Sequence, residues 1–179
     1  MKKLVFFIIC VLSVFISCFL PLSASSYTIK GGISYTEAEA RKCAFKDVSY
    51  KIEIDKYKDF FTDKNFLINQ EKINKGKKKY KNRYLTKFSQ GEYAVRYVYQ
   101  PSHAYYYNID GILCYIDIDL GRSYPKQRVT YDSKGILDSV TLDISANEQF
   151  IFDINKKLVA HWVGNNCYNN KGELIDTRH

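Results

Sequence analysis

A thiol and an imidazole six residues apart, Cys167 and His161, are the one constellation in this 179-residue chain that invites nucleophilic catalysis. In that chemistry the imidazole takes the thiol proton and the thiolate attacks, as in a small secreted cysteine hydrolase. Against it, Leu158, Ala160 and Trp162 alternate as a core face, which puts His161 on the opposite side of the strand from Trp162. No hydrolase motif surrounds Cys167, whose neighbours Asn165, Asn166, Asn169 and Asn170 read as turn residues. Asp117 and Asp119 stand at a spacing that acid/base chemistry or a hard cation could use, but alternation yields such pairs in any half-exposed strand. On the other face of that stretch, Ile112, Cys114, Ile116, Ile118 and Leu120 are all apolar, so Cys114 reads as a core cysteine. No CxxC, HExxH or zinc-type Cys/His spacing occurs, and neither a metal nor a cofactor is expected.

Two further groups suit binding better than catalysis. Between Lys72 and Tyr84 the chain is dense in cations, and Lys75, Lys77, Lys78, Lys79, Lys81 and Arg83 could hold an anionic envelope polymer, lipid headgroups or nucleic acid by Coulomb attraction. The alternative for such a run is a solvated face that serves solubility. Among 16 tyrosines, Tyr93, Tyr97 and Tyr99 could stack on the sugar rings of a glycan, close to Tyr105-Tyr106-Tyr107. Tyrosine also favours strands and cross-strand pairing without any ligand.

The elements that must position these residues begin after an export signal. Met1-Lys2-Lys3, the apolar run Leu4 to Leu20 and the exit Pro21-Leu22-Ser23-Ala24 predict a signal peptide over residues 1–24 and a secreted or periplasmic protein. Residues 4–20 are also long enough for an uncleaved anchor, and Phe15-Ile16-Ser17-Cys18 offers Cys18 for lipid modification. Of the 27 Lys plus Arg, loss of Lys2 and Lys3 leaves 25 against 19 Asp plus Glu. From residue 25 to 100 there are 17 basic and 9 acidic residues, and from 101 to 179 there are 8 and 10, so the basic character belongs to the N-terminal half. Three cysteines remain, Cys43, Cys114 and Cys167; that is no disulfide scaffold, though one bridge could form between an unspecified pair.

Thr36-Glu37-Ala38-Glu39 is a capping box and starts a helix whose Ala40, Cys43, Ala44 and Val48 form a stripe to face a sheet. Tyr50, Ile52 and Ile54 then alternate with charged residues, as in a short strand, with a continued helix as the alternative. Phe60 to Tyr80 is the least legible stretch, and Gly76 interrupts any helix there. From Arg83 the pattern is alternation and turns: Tyr84, Thr86 and Phe88 on one face, a turn at Ser89-Gln90-Gly91, then Tyr93, Val95, Tyr97 and Tyr99, closed by Pro101.

A hairpin unit then recurs: an aromatic, Asp or Asn, two residues, Gly, any residue and Leu. It runs Tyr107-Asn108-Ile109-Asp110-Gly111-Ile112-Leu113, then Tyr131 to Leu137, Phe152 to Leu158 with Lys156 at the glycine position, and Tyr168 to Leu174. The Asp or Asn side chain would accept from backbone N–H groups of a type I turn, the Gly would take φ > 0 as a bulge, and the aromatic and Leu would pack across the hairpin. A left-handed Lys156 would cost about 1 kcal/mol unless that loop differs. Over about Tyr105 to Thr177 the chain resembles the divergent MORN-like hairpin repeats of bacterial exported and antitoxin-type proteins, without the glycine-rich core of a standard repeat. The resemblance implies a sheet scaffold for binding and carries no catalytic residues over.

The expected fold is therefore α+β and mainly β, an antiparallel meander of repeated hairpins with an N-terminal helix packed on it. Residues 25–179 form one domain, with a basic helical part over 25–82 and the hairpin sheet over 83–179. The expected function is an exported cell-envelope protein that binds an anionic polymer, a glycan or a protein partner without catalysis. Its alternatives are the Cys167/His161 hydrolase and a secreted effector or immunity protein.

Overall fold

Turn chemistry dictates the architecture of this protein, seen in a computed structural model that describes residues 35–88 and 90–178. The signal or anchor segment over residues 1–24, Cys18 included, lies outside the described residues. Eleven strands form one antiparallel sheet in which each pairs with the next in sequence. They are β1 (Lys79–Tyr80), β2 (Arg83–Lys87), β3 (Tyr93–Tyr97), β4 (His103–Tyr107), β5 (Leu113–Asp119), β6 (Lys126–Asp132), β7 (Leu137–Ser145), β8 (Glu148–Asp153), β9 (Leu158–Val163), β10 (Asn166–Tyr168) and β11 (Leu174–Thr177). The sheet thus begins inside the basic tract, four residues before Arg83, because Lys79 and Tyr80 pair with Tyr84 and Arg83.

The four Asx turns share one hydrogen-bond pattern. The side-chain oxygens of Asn108, Asp132, Asp153 and Asn169 accept from the N–H four residues on, at 2.9, 2.9, 2.8 and 3.0 Å. The fourth turn position has φ of +76° at Gly111, +77° at Gly135, +64° at Lys156 and +77° at Gly172. Lys156 is therefore left-handed, as a bulge requires of that position, and its ammonium lies 5.3 Å from the centroid of the Phe45 ring. A fifth turn of the same backbone pattern joins β2 to β3, with Gly91 at φ +89° and Phe88 in the Asx position. Because these turns occupy every second connection, all five lie at one end of the sheet.

Each of the four Asx turns slips the register by one residue and brings its aromatic opposite its Leu: Tyr107 to Leu113, Tyr131 to Leu137, Phe152 to Leu158 and Tyr168 to Leu174. One extra residue also reverses which face every later side chain points to. Two sequence expectations fail for that reason. Cys114 is the extra residue of its bulge, half-buried beside an exposed Ile112, so it is no core cysteine. Beyond Val159 the inner face passes to His161, while Ala160 and Trp162 turn outward. His161 and Trp162 remain on opposite faces, but the buried member is the histidine, 1% exposed.

The N-terminal part covers the inner face and runs back along the meander. Helix α1 (Glu37–Ala44) starts at the expected capping box and buries Ala40 and Ala44 completely against β7 and β8. Their small side chains let the helix approach Val140, Leu142, Phe150 and Phe152. The side-chain amide of Gln127 donates to the carbonyls of Cys43, Ala44 and Lys46 at 3.0, 2.9 and 2.8 Å, so the sheet itself caps the helix C-terminus.

Residues 50–63 form a strap along the Asx-turn end. The expected strand at Tyr50 to Ile54 reduces to a single bridge between Lys51 and Ile136, because its only pairing surface is a hairpin tip. Ile52 N–H donates to the Gly135 carbonyl, and Asp63 N–H to the Gly111 carbonyl, both at 2.9 Å. Between these anchors a 3-10 helix (Ile54–Phe60) rises over the inner face and stacks Phe60 on Tyr105 with ring centroids 4.0 Å apart. Helix α2 (Phe66–Asn74) then packs on β2, and Gly76 follows its end at φ +72°. Two apolar clusters result, one under α1 and one under α2 and the strap, with Ile52 and Ile118 touching both.

Candidate ligand pocket

Where the strap meets β3 and β4, a pocket of about 310 Å³ opens between Asp59, Phe60, Thr62, Asp63, Lys64 and Asn65 on one side and Tyr97, Tyr99 and Tyr107 on the other. Its size lies at the small end for ligand sites. Asp63 is 4% exposed and organises the floor. Its carboxylate accepts from the Asn65 N–H at 2.9 Å, the Asn69 side-chain amide at 2.6 Å and the Tyr93 hydroxyl at 2.7 Å. Arg83 reaches the same network one step away, donating from Nε to Asn69 Oδ1 at 2.7 Å. At the rim, Lys64 donates to Asp59 at 3.1 Å.

The three candidate glycan-stacking tyrosines separate here. Tyr93 is fully buried and serves the Asp63 network, so its ring offers no face to a ligand. Tyr97 is buried against Phe60, and Tyr99, 65% exposed, stands beyond β3 with its ring centroid 5.1 Å from that of Tyr97. Burial pushes the Tyr97 hydroxyl up to about 12, with the Asp63 charge adding to it, and burial, then Tyr97 and Asp63, raise Tyr107. Both phenols are therefore neutral in the physiological range. Phe60, Asp59 and Asp63 were not among the candidate site residues read from the sequence, although a carboxylate inside the apolar stretch Phe60 to Ile68 was a signal available there.

The basic tract divides as well. Arg83 is buried, and Lys75 is paired with Glu71 at 2.8 Å. Hydrogen bonds from Lys75 and then Lys72 hold that exposed carboxyl down at about 2. Lys77, Lys78, Lys79 and Lys81 stay exposed. Lys72, Lys81 and Arg83 all lie 5.1 to 5.5 Å from the centroid of the Tyr80 ring, which gathers three cations around one aromatic.

Cys167 and His161 are not brought together. The register sets Cys167 opposite Trp162 and His161 opposite Tyr168, so thiol and imidazole project from opposite faces. His161 stacks on Phe150 at 3.8 Å and lies 3.2 Å from Glu148; burial lowers its pKa despite that carboxylate. Burial, with Asp176 adding to it, pushes the Cys167 thiol up, the reverse of an activated nucleophile.

Asp117 and Asp119 do share the outer face, but each is engaged. Tyr106 and Thr130 donate to Asp117 at 2.8 and 2.7 Å, and burial outweighs them to raise its pKa. Arg96 and Arg128 pair with Asp119 at 2.8 and 2.9 Å and outweigh burial to lower it. Arg128 continues to Asp143, which Lys126 and Gln149 also meet, so an ionic ladder crosses the outer face from β3 to β8. Among the described residues no group of three or more His, Cys, Asp or Glu could hold a metal ion, and no helix is long and apolar enough to cross a membrane. Comparison of the chain with protein-family models, with curated proteins and with solved structures finds no match.

Proposed function

We propose that this is an exported cell-envelope binding protein, without catalysis, that takes its ligand in the pocket between the strap and the tyrosines of β3 and β4. The observation that carries the reading is Tyr99, a large ring held in solvent beside a pocket that the buried Asp63, Tyr97 and Tyr107 also line. Export rests on the residue pattern of the first 24 positions alone. The hydrolase alternative requires a thiol and imidazole that meet, and the pairing of β9 with β10 points them apart. The meander is further read as repetition of one hairpin unit of MORN-like type, a reading supported by the common geometry of the Asn108, Asp132, Asp153 and Asn169 turns.

Retention of the protein on isolated cell-envelope polysaccharide, including peptidoglycan, tests the pocket. Tyr99→Ala is expected to weaken retention about tenfold, since one base- or sugar-sized stacking contact on an aromatic is worth on the order of 1 kcal/mol or more. Unchanged retention of the variant would remove the pocket from the reading. Retention lost only on raising salt would move binding to Lys77, Lys78, Lys79 and Lys81.

A further inference from the structure

We infer that the pocket is built for an ammonium group, the cationic head of a small amine or quaternary ammonium compound; this rests on the pocket being the binding site. Four rings line it, Phe60, Tyr97, Tyr99 and Tyr107, and the face of an aromatic ring carries negative potential that attracts cations. The rings are not parallel: Phe60 and Tyr97 meet at 52° and Tyr97 and Tyr99 at 30°, so the aromatic lining is angled, with Tyr99 its largely exposed member. A flat platform suits a sugar ring, whereas an angled aromatic wall suits a compact, roughly spherical head.

Charge points the same way. Two carboxylates, Asp59 and Asp63, line the pocket against one ammonium, Lys64, which is tied to Asp59. The three donors to Asp63 are a backbone amide, an asparagine amide and a phenol, all neutral, so it makes no direct ion pair; the cation in its network, the buried Arg83, stands one hydrogen bond further on through Asn69. An anionic ligand would be repelled by this floor. The phenols of Tyr97 and Tyr107, kept protonated, add no competing charge of their own.

Titration of the full-length protein with choline and with its neutral carbon isostere, 3,3-dimethylbutanol, separates charge recognition from shape. Choline is expected to bind about tenfold more tightly than the isostere, by calorimetry or by shifts of the pocket tyrosine resonances. Tyr99→Ala should lower choline affinity about fivefold while Tyr99→Phe, which keeps the ring, holds it within about twofold. Since Tyr99 is exposed, neither variant disturbs the core. Equal affinity for the isostere, or no choline binding, overturns the inference. If envelope polysaccharide is then still held and released by Tyr99→Ala, the pocket stands and only the ammonium class falls; if Tyr99→Ala changes neither ligand, both readings fall.

Discussion

His161 shows how a residue that looks reactive in one dimension becomes structural in three. The bulge at Val159 turns it inward, where it stacks on Phe150 and faces Glu148. Burial lowers its pKa, so the folded protein binds the proton less readily than the unfolded chain does. Stability from this residue is therefore complete above the ordinary histidine range, about 6.5, and is lost as pH falls below it. His103 shifts in the same direction, through burial and then Arg96. The urea midpoint is expected to fall between about pH 7.5 and 5.5, and His161→Phe, which keeps a stacking ring, should flatten that fall. An equal slope in the variant would assign the titration to His103. At this scale the sequence was readable where the residues compared lie on the same side of a bulge, as for Asp117 and Asp119, and misleading at a bulge or across one, as for Cys114 and for Leu158 with His161. A bulge at a recognised turn was foreseen, but the parity change it imposes on the rest of the strand was not carried through.

Turns and caps, the local elements, were the most legible. Thr36 and Glu39 cap α1, and the Asx turns form with the expected bonds, because their partners lie within four residues in sequence. The strap was illegible because its partners are hairpin tips some 50 to 85 residues away, and Tyr50 to Ile54 carries only the alternation that a strand would also show. These tips explain which glycines cannot change. A Cβ on Gly135 would lie 2.9 Å from the Ile52 carbonyl oxygen and 3.1 Å from Ile54 Cβ, in addition to its left-handed φ. On Gly111 it would meet Phe66 Cδ2 at 2.8 Å and Cγ at 3.2 Å, side-chain atoms in place of backbone, and on Gly164, also at positive φ, it would meet nothing within 4 Å. Denaturant unfolding should rank the alanine variants accordingly. Gly164→Ala is expected to cost about 1 kcal/mol, Gly111→Ala more, and Gly135→Ala over about 2 kcal/mol through the strap. Equal costs would mean the strap bears no load.

Across the whole molecule, a mainly β meander with an N-terminal helix packed on it was legible, because every strand pairs with its sequence neighbour and the small-residue stripe of α1 needs a sheet; the direction of the cover was not, because it runs back along the meander. Helix α1 reaches β7 and β8 while α2 reaches β2. Protection should follow that cover: amides of β7 and β8, flanked on both sides and overlain by α1, are expected to exchange slowest. Those of β11, whose four residues are all exposed, should exchange fastest, as hydrogen–deuterium exchange with peptide resolution would read. Uniform exchange across the sheet would show instead that it opens as one unit. The strap also makes the sheet a gauge. Among the described residues the strap touches the tips at Gly111 and Gly135 and not the β10–β11 hairpin. Between the Gly111 and Gly135 tips, one added hairpin would separate the anchors by about 10 Å more. The strap could cover that distance only by unwinding its 3-10 helix, which would draw Phe60 and Asp59 out of the pocket. The strap and the pocket thus fix how many hairpins fit between the Gly111 and Gly135 tips.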